Sequence, residues 1–163
     1  MYAAEKGNIA VMDVLIKAGA AIDVQSTSDN TALICAAVRG HEAAVTRLLE
    51  AKATVDVPGE GGGTAMMKAA YGCVYYSAGG PTATCMFIDA HLYRPTPQVW
   101  SIRRRVLSGM LSRRGRKSIV EALINAGANV NHKARSGEKA LEWARKQGHA
   151  GVEELLLSNG AIR

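Results

Sequence analysis

The 163-residue sequence predicts an all-α repeat protein, a solenoid of stacked helix-turn-helix units joined by short hairpin loops. One pattern that starts at Asp23 returns at Asp56, an offset of 33, which indicates a repeat architecture. Each copy carries two short apolar stripes of helical period, and neither stripe can form a core alone. Aromatic residues make up only 5% of the chain, so aliphatic and alanine side chains must fill the core, which favours close helix stacking.

The repeat is clearest in residues 23–37 and 56–70, which have Asp-Val, Thr-Ala and Ala-Ala at the same places. The same offset places Gly40 on Gly7, so the chain starts with a truncated copy. The final copy, in which Gly148 corresponds to Gly40, follows the second at an offset of 108 and ends at Arg163. The sequence therefore predicts about four units.

An insertion divides the third copy. Its second half, residues 115–131, aligns with residues 40–56 at an offset of 75, and this offset exceeds the period of 33 by 42. The inserted segment therefore stands between the two helices of this unit. We assign the units to residues 1–22, 23–55, 56–72 with 115–130, and 131–163, and a poorly ordered basic loop to residues 73–114.

Each unit is expected to form two helices around a glycine turn. Thr31 is suited to cap the first helix, because its hydroxyl accepts hydrogen bonds from backbone N–H groups of the first turn. Gly40 ends that helix, since glycine adopts the left-handed conformation at little cost. The segments 23–30 and 56–63 are rich in turn formers and predict projecting hairpins. The second helix runs from about Glu42 to Ala51, with one apolar face made of Ala44, Val45, Leu48 and Leu49.

Several copies share a longer motif. Residues 29–37 read Asp-Asn-Thr-Ala-Leu-Ile-Cys-Ala-Ala, and residues 62–70 read Gly-Gly-Thr-Ala-Met-Met-Lys-Ala-Ala. A Gly-His pair stands at residues 40–41 and again at 148–149, and residues 127–131 read Gly-Ala-Asn-Val-Asn. This pattern resembles the ankyrin repeat family over roughly residues 1–72 and 115–163. The resemblance implies a stacked-helix fold that binds proteins.

The sequence departs from the family pattern at the start of the first helices. Alanine stands in the place of the family's proline at Ala32, Ala65 and Ala140, and Lys139 replaces the capping threonine of the last unit. A lost cap lowers helix stability by about 1 kcal/mol. We therefore expect weaker helix starts and the same fold.

The whole net charge of +6 belongs to one segment. Residues 73–116 hold seven arginines against one acid, Asp89, whereas the rest of the chain has 13 basic and 13 acidic residues. Residues 99–114 predict a basic amphipathic helix interrupted by Gly109, suited to an anionic membrane, a calmodulin-like groove or a phosphate backbone. The alternatives are a loosely ordered loop without a binding role and translated non-coding sequence retained in frame.

The sequence contains no GxxxxGK[ST], GxSxG, HExxH or paired CxxC motif, which predicts neither enzymatic activity nor a cofactor. Cys73, Cys85 and His91 are conceivable metal ligands, but their spacing matches no common zinc site, and we assign no metal. Three cysteines without a close pair favour a reducing compartment. We expect a cytoplasmic location, with the nucleus as the alternative.

Lys68 stands out, because its sister units have Tyr2, Cys35 and Trp143 at the same position. Either its side chain extends toward the groove or the third unit is locally loose. Trp143 is expected to pack beside the first helix of its unit. The histidines of the two Gly-His turns are expected to be structural.

These features predict a non-catalytic protein-interaction module with a concave surface of hairpin tips and first helices. Tyr71 and Arg39 are the preferred anchors, because aromatic and guanidinium groups dominate interface energetics. The expected lining is Gln25, Thr27, Asp29, Val38, Arg39, Glu60, Tyr71, Lys133, Arg135, Lys146 and Gln147. The alternative is binding of nucleic acid or an anionic membrane by the Arg-rich segment 94–116, through Arg103, Arg104, Arg105, Arg113, Arg114 and Arg116.

The chain begins inside an expected helix, and we therefore expect it to be a fragment of a longer chain. In that case Val11, Leu15 and Ile16 are partly uncovered and favour self-association. The sequence leaves the identity of the partner, the pathway and the parent protein open.

Overall fold

The structure is a computed structural model that describes residues 1–72 and 111–162, and in the second range it describes side chains from Lys117 onward. In these residues eight α-helices form two rows. The first row contains α1 (Tyr2–Glu5), α3 (Ala32–Arg39), α5 (Ala65–Tyr71) and α7 (Ala140–Lys146). The second row contains α2 (Ile9–Lys17), α4 (Glu42–Glu50), α6 (Leu111–Asn125) and α8 (Ala150–Ser158). A 3₁₀ turn, Glu60–Gly62, precedes α5. The described chain contains no β-strand, which confirms the predicted all-α repeat fold.

The helices stack by row. In the first row α3 packs against α1 and α5, and α5 also packs against α7. In the second row α4 packs against α2 and α6, and α6 also packs against α8. Leu48 of α4 and Leu123 of α6 are therefore equivalent residues of neighbouring helices, and both are buried. The residues on either side of the interval 74–110 belong to one compact unit.

The first helices begin differently in the three complete units. The Thr31 hydroxyl accepts a hydrogen bond from the Ile34 backbone N–H at 3.3 Å, which is the cap that the sequence predicts. Thr64 and Lys139 stand at the same position and make no side-chain cap. α7 therefore begins without a side-chain cap, as its lysine predicts, and α5 begins without one although threonine stands at its cap position. Gly40 ends α3 with φ +78°, in the left-handed conformation.

The core lies between the two rows and is built from small and aliphatic side chains. The alanine pairs 36–37 and 69–70 are buried in α3 and α5, and their small side chains allow the first helices to approach closely. The second row contributes the aliphatic side chains of its inward face. The largest fully buried side chains include Leu33, Val45, Met66, Met67, Ile119, Leu123, Leu141 and Leu156.

A polar residue at the start of each unit ties it to the end of the same helix pair. The Asp23 carboxylate accepts hydrogen bonds from the Thr54 backbone N–H at 3.0 Å and from the Thr54 hydroxyl at 2.5 Å. The Asn131 side-chain oxygen accepts from the Ile162 backbone N–H at 2.8 Å. The backbone N–H that bonds to Asp23 and the one that bonds to Asn131 each lie 31 residues further along the chain, so the interaction repeats with the period of the fold.

An equivalent hydrogen bond connects the two halves of the third unit across the insertion. The Asp56 carboxylate accepts from the Asn129 backbone N–H at 2.9 and 3.1 Å, across 73 residues. This separation exceeds 31 by 42, which equals the length of the insertion read from the repeats. The two halves of the third unit therefore close in the register of the uninterrupted units.

The helix after the insertion is longer than its counterparts. It begins at Leu111, so the backbone of residues 111–114, which we assigned to the inserted loop, continues the second helix of the third unit. The amphipathic segment 99–114 otherwise lies outside the described residues, as does the rest of the insertion.

We expect Asp56→Ala to lower the free energy of unfolding by about 1–2 kcal/mol, because it leaves the Asn129 N–H without its carboxylate acceptor. Asp56→Asn, which keeps an acceptor oxygen, should lower the free energy of unfolding by less than Asp56→Ala does. The measurement is urea denaturation followed by the helical circular dichroism signal.

Glu121→Ala is the control, because Glu121 is an exposed carboxylate on α6, and it should change the unfolding free energy by less than about 0.5 kcal/mol. Asp23→Ala should lower the unfolding free energy at least as much as Asp56→Ala, because Asp23 accepts from the Thr54 hydroxyl as well as from the equivalent backbone N–H. Equal stability of Asp56→Ala and the unmodified chain would show that the third unit does not depend on this closure.

Candidate partner-binding surface

Three hairpins project between the units, and each is closed by an equivalent backbone hydrogen bond. In the first, Ser26 N–H donates to the Asn30 carbonyl at 2.9 Å, and in the last, Ala134 N–H donates to the Glu138 carbonyl at 2.9 Å. The middle hairpin has Gly59 N–H donating to the Gly63 carbonyl at 3.0 Å. The turn formers of the sequence therefore form the predicted hairpins.

Neighbouring hairpin tips are joined to each other. The Gln25 amide donates to the carbonyls of Asp29 at 2.9 Å and Pro58 at 3.0 Å, which links the first hairpin to the second. The Arg135 backbone N–H donates to the Gly61 carbonyl at 2.9 Å and links the third hairpin to the second. The tips of residues 25–29, 58–62 and 132–135 therefore form a continuous surface, which we call the tip surface.

A cavity of about 490 Å³ lies in the tip surface. Gln25 and Asp29 line it from the first hairpin, residues 58, 59 and 62 from the second, and residues 132–135 from the third. Its charged side chains are Asp29 on one hairpin and Lys133 and Arg135 on another. Four residues of the predicted lining thus surround one cavity.

The other predicted contact residues lie at the tips or on the first row of helices. Thr27 is exposed on the first hairpin, and Glu60 is half-buried in the 3₁₀ turn of the second. Val38, Arg39 and Tyr71 are half-buried at the ends of α3 and α5. Lys146 and Gln147 are exposed at the end of α7.

The two preferred anchors make contacts within the array. The Arg39 guanidinium pairs with the Glu5 carboxylate, and its side chain is 17% exposed. The Tyr71 ring meets the Trp143 ring edge-on, with centroids 5.4 Å apart and planes at 69°. Alanine at either position would remove a contact between neighbouring units. Variants of the exposed tip residues therefore test partner binding with less risk to the fold.

Lys68 is buried, with 3% of its surface exposed, and its ammonium group donates to the Glu60 carbonyl at 3.0 Å. The ammonium nitrogen also lies 5.9 Å from the centre of the Trp143 ring. The Lys68 side chain extends to the second hairpin, but it does not carry its charge to the surface of the groove as expected, because the residue is buried. Trp143 is buried beside the first helices, as expected.

Glu138 has a structural role that no pattern in the sequence indicates. Its carboxylate accepts from the Trp143 indole N–H at 2.8 Å and the Ser136 hydroxyl at 3.2 Å, and it pairs with the Lys146 ammonium. The Lys146 hydrogen bond is the main cause that lowers the pKa of Glu138 below its ordinary value, and Glu138 raises the pKa of Lys146. Lys146, a predicted contact residue, therefore fixes the third hairpin to α7.

The described part of the chain offers neither a metal site nor a membrane-spanning helix. Within residues 1–72 and 111–162, no group of three or more His, Cys, Asp or Glu could hold a metal ion. No helix in those ranges is long and apolar enough to span a membrane. Cys73, Cys85, His91 and Arg103–Arg105 lie outside the described residues, and so do the side chains of Arg113, Arg114 and Arg116.

The comparison with known families supports the repeat. The family model described as ankyrin repeats, in three copies, matches residues 1–76. No curated protein matches the chain.

We expect Glu138→Gln to lower the free energy of unfolding by about 1 kcal/mol at pH 7, because it removes a charged acceptor shared by three donors. A lowered pKa means that the carboxylate stabilises the fold above the pKa of an unfolded glutamate, about 4.3. This contribution is lost as the pH falls through the lower pKa of the folded state. Urea denaturation at a series of pH values between 7 and 3 measures it.

Glu154→Gln is the matched control, because Glu154 is an exposed glutamate on α8. The unfolding free energies of Glu138→Gln and the unmodified chain should converge at acid pH, whereas Glu154→Gln should follow the unmodified chain throughout. A difference between Glu138→Gln and the unmodified chain that stays constant from pH 7 to 3 would contradict the assigned role of the charge.

Proposed function

We propose that this protein, whose residues 1–76 match the ankyrin repeat family, is a non-catalytic interaction module that binds a partner protein. Ankyrin repeats are generally protein–protein interaction modules, and the family is generally non-enzymatic. The partner lies on the concave face formed by the tip surface and the first helices. The observation that carries this proposal is the cavity between the hairpins, which four of the predicted contact residues line.

The rigidity of the tip surface supports this function. Its hairpins are bonded to each other through the Gln25 amide and the Arg135 backbone N–H, and both acceptors are main-chain carbonyls. A preformed surface loses little conformational entropy when a partner binds, so more of the contact energy appears as affinity. The exposed side chains of Thr27, Lys133 and Arg135 are available for contact.

The second candidate function is binding of nucleic acid or an anionic membrane by the Arg-rich segment 94–116. The uneven charge distribution favours it, since residues 73–116 hold seven arginines and a single acid. Binding to a polyanion weakens steeply with salt because it releases condensed counterions. This function predicts that capture is lost in high salt and with the triple variant Arg103→Glu, Arg104→Glu, Arg105→Glu, whereas binding through the tip surface survives both.

We expect the double variant Thr27→Arg, Lys133→Glu to lose at least about 90% of the captured partner. The arginine adds a bulky side chain to the interface and the glutamate reverses a charge, and together they cost about 2 kcal/mol or more of binding free energy. The experiment captures proteins from a cell lysate on the immobilised full chain and quantifies them by isotope-labelled mass spectrometry. Circular dichroism and thermal unfolding of both chains check that the fold is retained.

The matched control carries the same two substitutions on exposed positions of the second row, Thr46→Arg and Lys117→Glu. It should retain the partner that the tip variant loses. Equal retention by the two variants, or selective loss by the second-row variant, would contradict binding through the tip surface.

A further inference from the structure

The charges around the cavity are unevenly satisfied. Lys133 and Arg135 are exposed on one wall, and within residues 1–72 and 111–162 neither lies within 4 Å of a carboxylate. Arg39, Arg47, Arg145 and Lys146 each pair with an acidic side chain, whereas within the described residues Lys133 and Arg135 do not. The cavity therefore has a cationic wall whose counter-charge is not supplied by the described array.

The backbone under this wall is fixed before any ligand binds. Arg135 N–H is bonded to the Gly61 carbonyl at 2.9 Å, and Lys133 forms an isolated antiparallel bridge with Lys139. The His132 ring nitrogen lies 3.2 Å from the Gly62 carbonyl oxygen. These contacts fix the backbone from which both cationic side chains extend, so binding requires ordering of side chains and not of the hairpin.

Two glycines of the second hairpin allow it to pack closely against neighbouring segments. A Cβ on Gly62 would lie 2.9 Å from the Arg135 backbone nitrogen, and Gly62 has φ +75°. A Cβ on Gly59 would lie 2.6 Å from the Asn30 side-chain oxygen. Glycine at these two positions therefore lets the main chain of the second hairpin lie against the third hairpin and against Asn30, where both glycines line the cavity.

We propose that the cavity binds an acidic segment of the protein partner, with a glutamate or aspartate carboxylate held between Lys133 and Arg135. This inference rests on the protein-binding function proposed above and adds the chemistry of the partner. A guanidinium group is suited to the task, because it binds a carboxylate with two parallel hydrogen bonds. Asp29 on the facing hairpin accepts an N–H group of the same segment, which favours a peptide over a polyanion.

The charge of residues 73–116 indicates that the acidic segment belongs to the partner and not to the insertion of this chain. Residues 73–116 contain a single acid, Asp89, and seven arginines, so this segment is positively charged and is repelled by the cationic wall. A partner with clustered acidic residues is complementary to the wall. Such complementarity accelerates association and fixes the register of the bound segment.

The test is a ¹H–¹⁵N NMR titration of the full chain with the peptide acetyl-Gly-Glu-Glu-Glu-Gly-amide. We expect chemical-shift changes at the amides of residues 59–62 and 132–135, and dissociation constants that rise about tenfold in Lys133→Gln, Arg135→Gln. The glutamine and lysine versions of the peptide should leave these amides unshifted. Raising the NaCl concentration to 1 M should weaken binding, since the Debye length falls to about 3 Å.

Lys17→Gln, Lys117→Gln is the matched control, because both lysines are exposed and lie on the second row of helices. It should bind the glutamate peptide as the unmodified chain does. Glutamine substitutions remove the charge and keep a polar side chain, and thermal unfolding checks that each variant folds.

Three results would overturn the inference. The first is the absence of shifts at residues 59–62 and 132–135, and the second is equal binding of the glutamine peptide. The third is tighter binding of a uridine dodecamer to the same amides, which would assign the wall to nucleic acid. The first two results leave the capture experiment on Thr27 and Lys133 as a separate test of the protein-binding function.

Discussion

No helix pair in this protein can cover its own apolar side, and the whole fold depends on the neighbour that covers it. Val11 and Leu15 of α2 are each 45% exposed. Ala44 and Leu48 occupy the same positions of α4, which packs between α2 and α6, and their exposure is 0% and 4%. The burial of a position is therefore set by the stack and not by the helix that carries it. Stability accumulates over interfaces between units.

This dependence on neighbours explains why the third unit tolerates its insertion. Its first helix, α5, packs on α3 and α7, and its second helix, α6, packs on α4 and α8. Lengthening a tight connection by about 42 residues costs only about 2 kcal/mol of loop-closure entropy. Ile119 and Leu123, both fully buried, offset that cost at about 1.5–3 kcal/mol each. The Asp56 bond to Asn129 then restores the register at the end of the helix pair.

The period of the sequence was enough to predict the rows of helices, the hairpins and the Thr31 cap, because each follows from local patterns that recur. It was not enough to predict which side chains pair. Arg39 with Glu5 and Arg47 with Asp13 are both separated by 34 residues, one more than the period of 33, so a search for opposite charges at a separation of one period plus one residue would have found them. Lys68 and Trp143 stand at the same position of neighbouring units, so the alignment of the copies places them side by side, but the location of the ammonium group near the Trp143 ring depends on side-chain reach. Glu138 was missed for the same reason, since its partners follow from the fold of the third hairpin onto α7.

The array separates the residues that hold it together from those that face outward. On the first row, Arg39, Tyr71 and Lys146 make contacts within the array, so a change at these positions alters stacking as well as any interface. At the tips, the links between hairpins end on the main-chain carbonyls of Pro58 and Gly61, which are present whatever the side chain. Side chains such as those of Thr27 and Lys133 can therefore change without loss of these bonds. For the proposed function, the tips are therefore the positions where substitutions change an interface at the lowest cost to the fold.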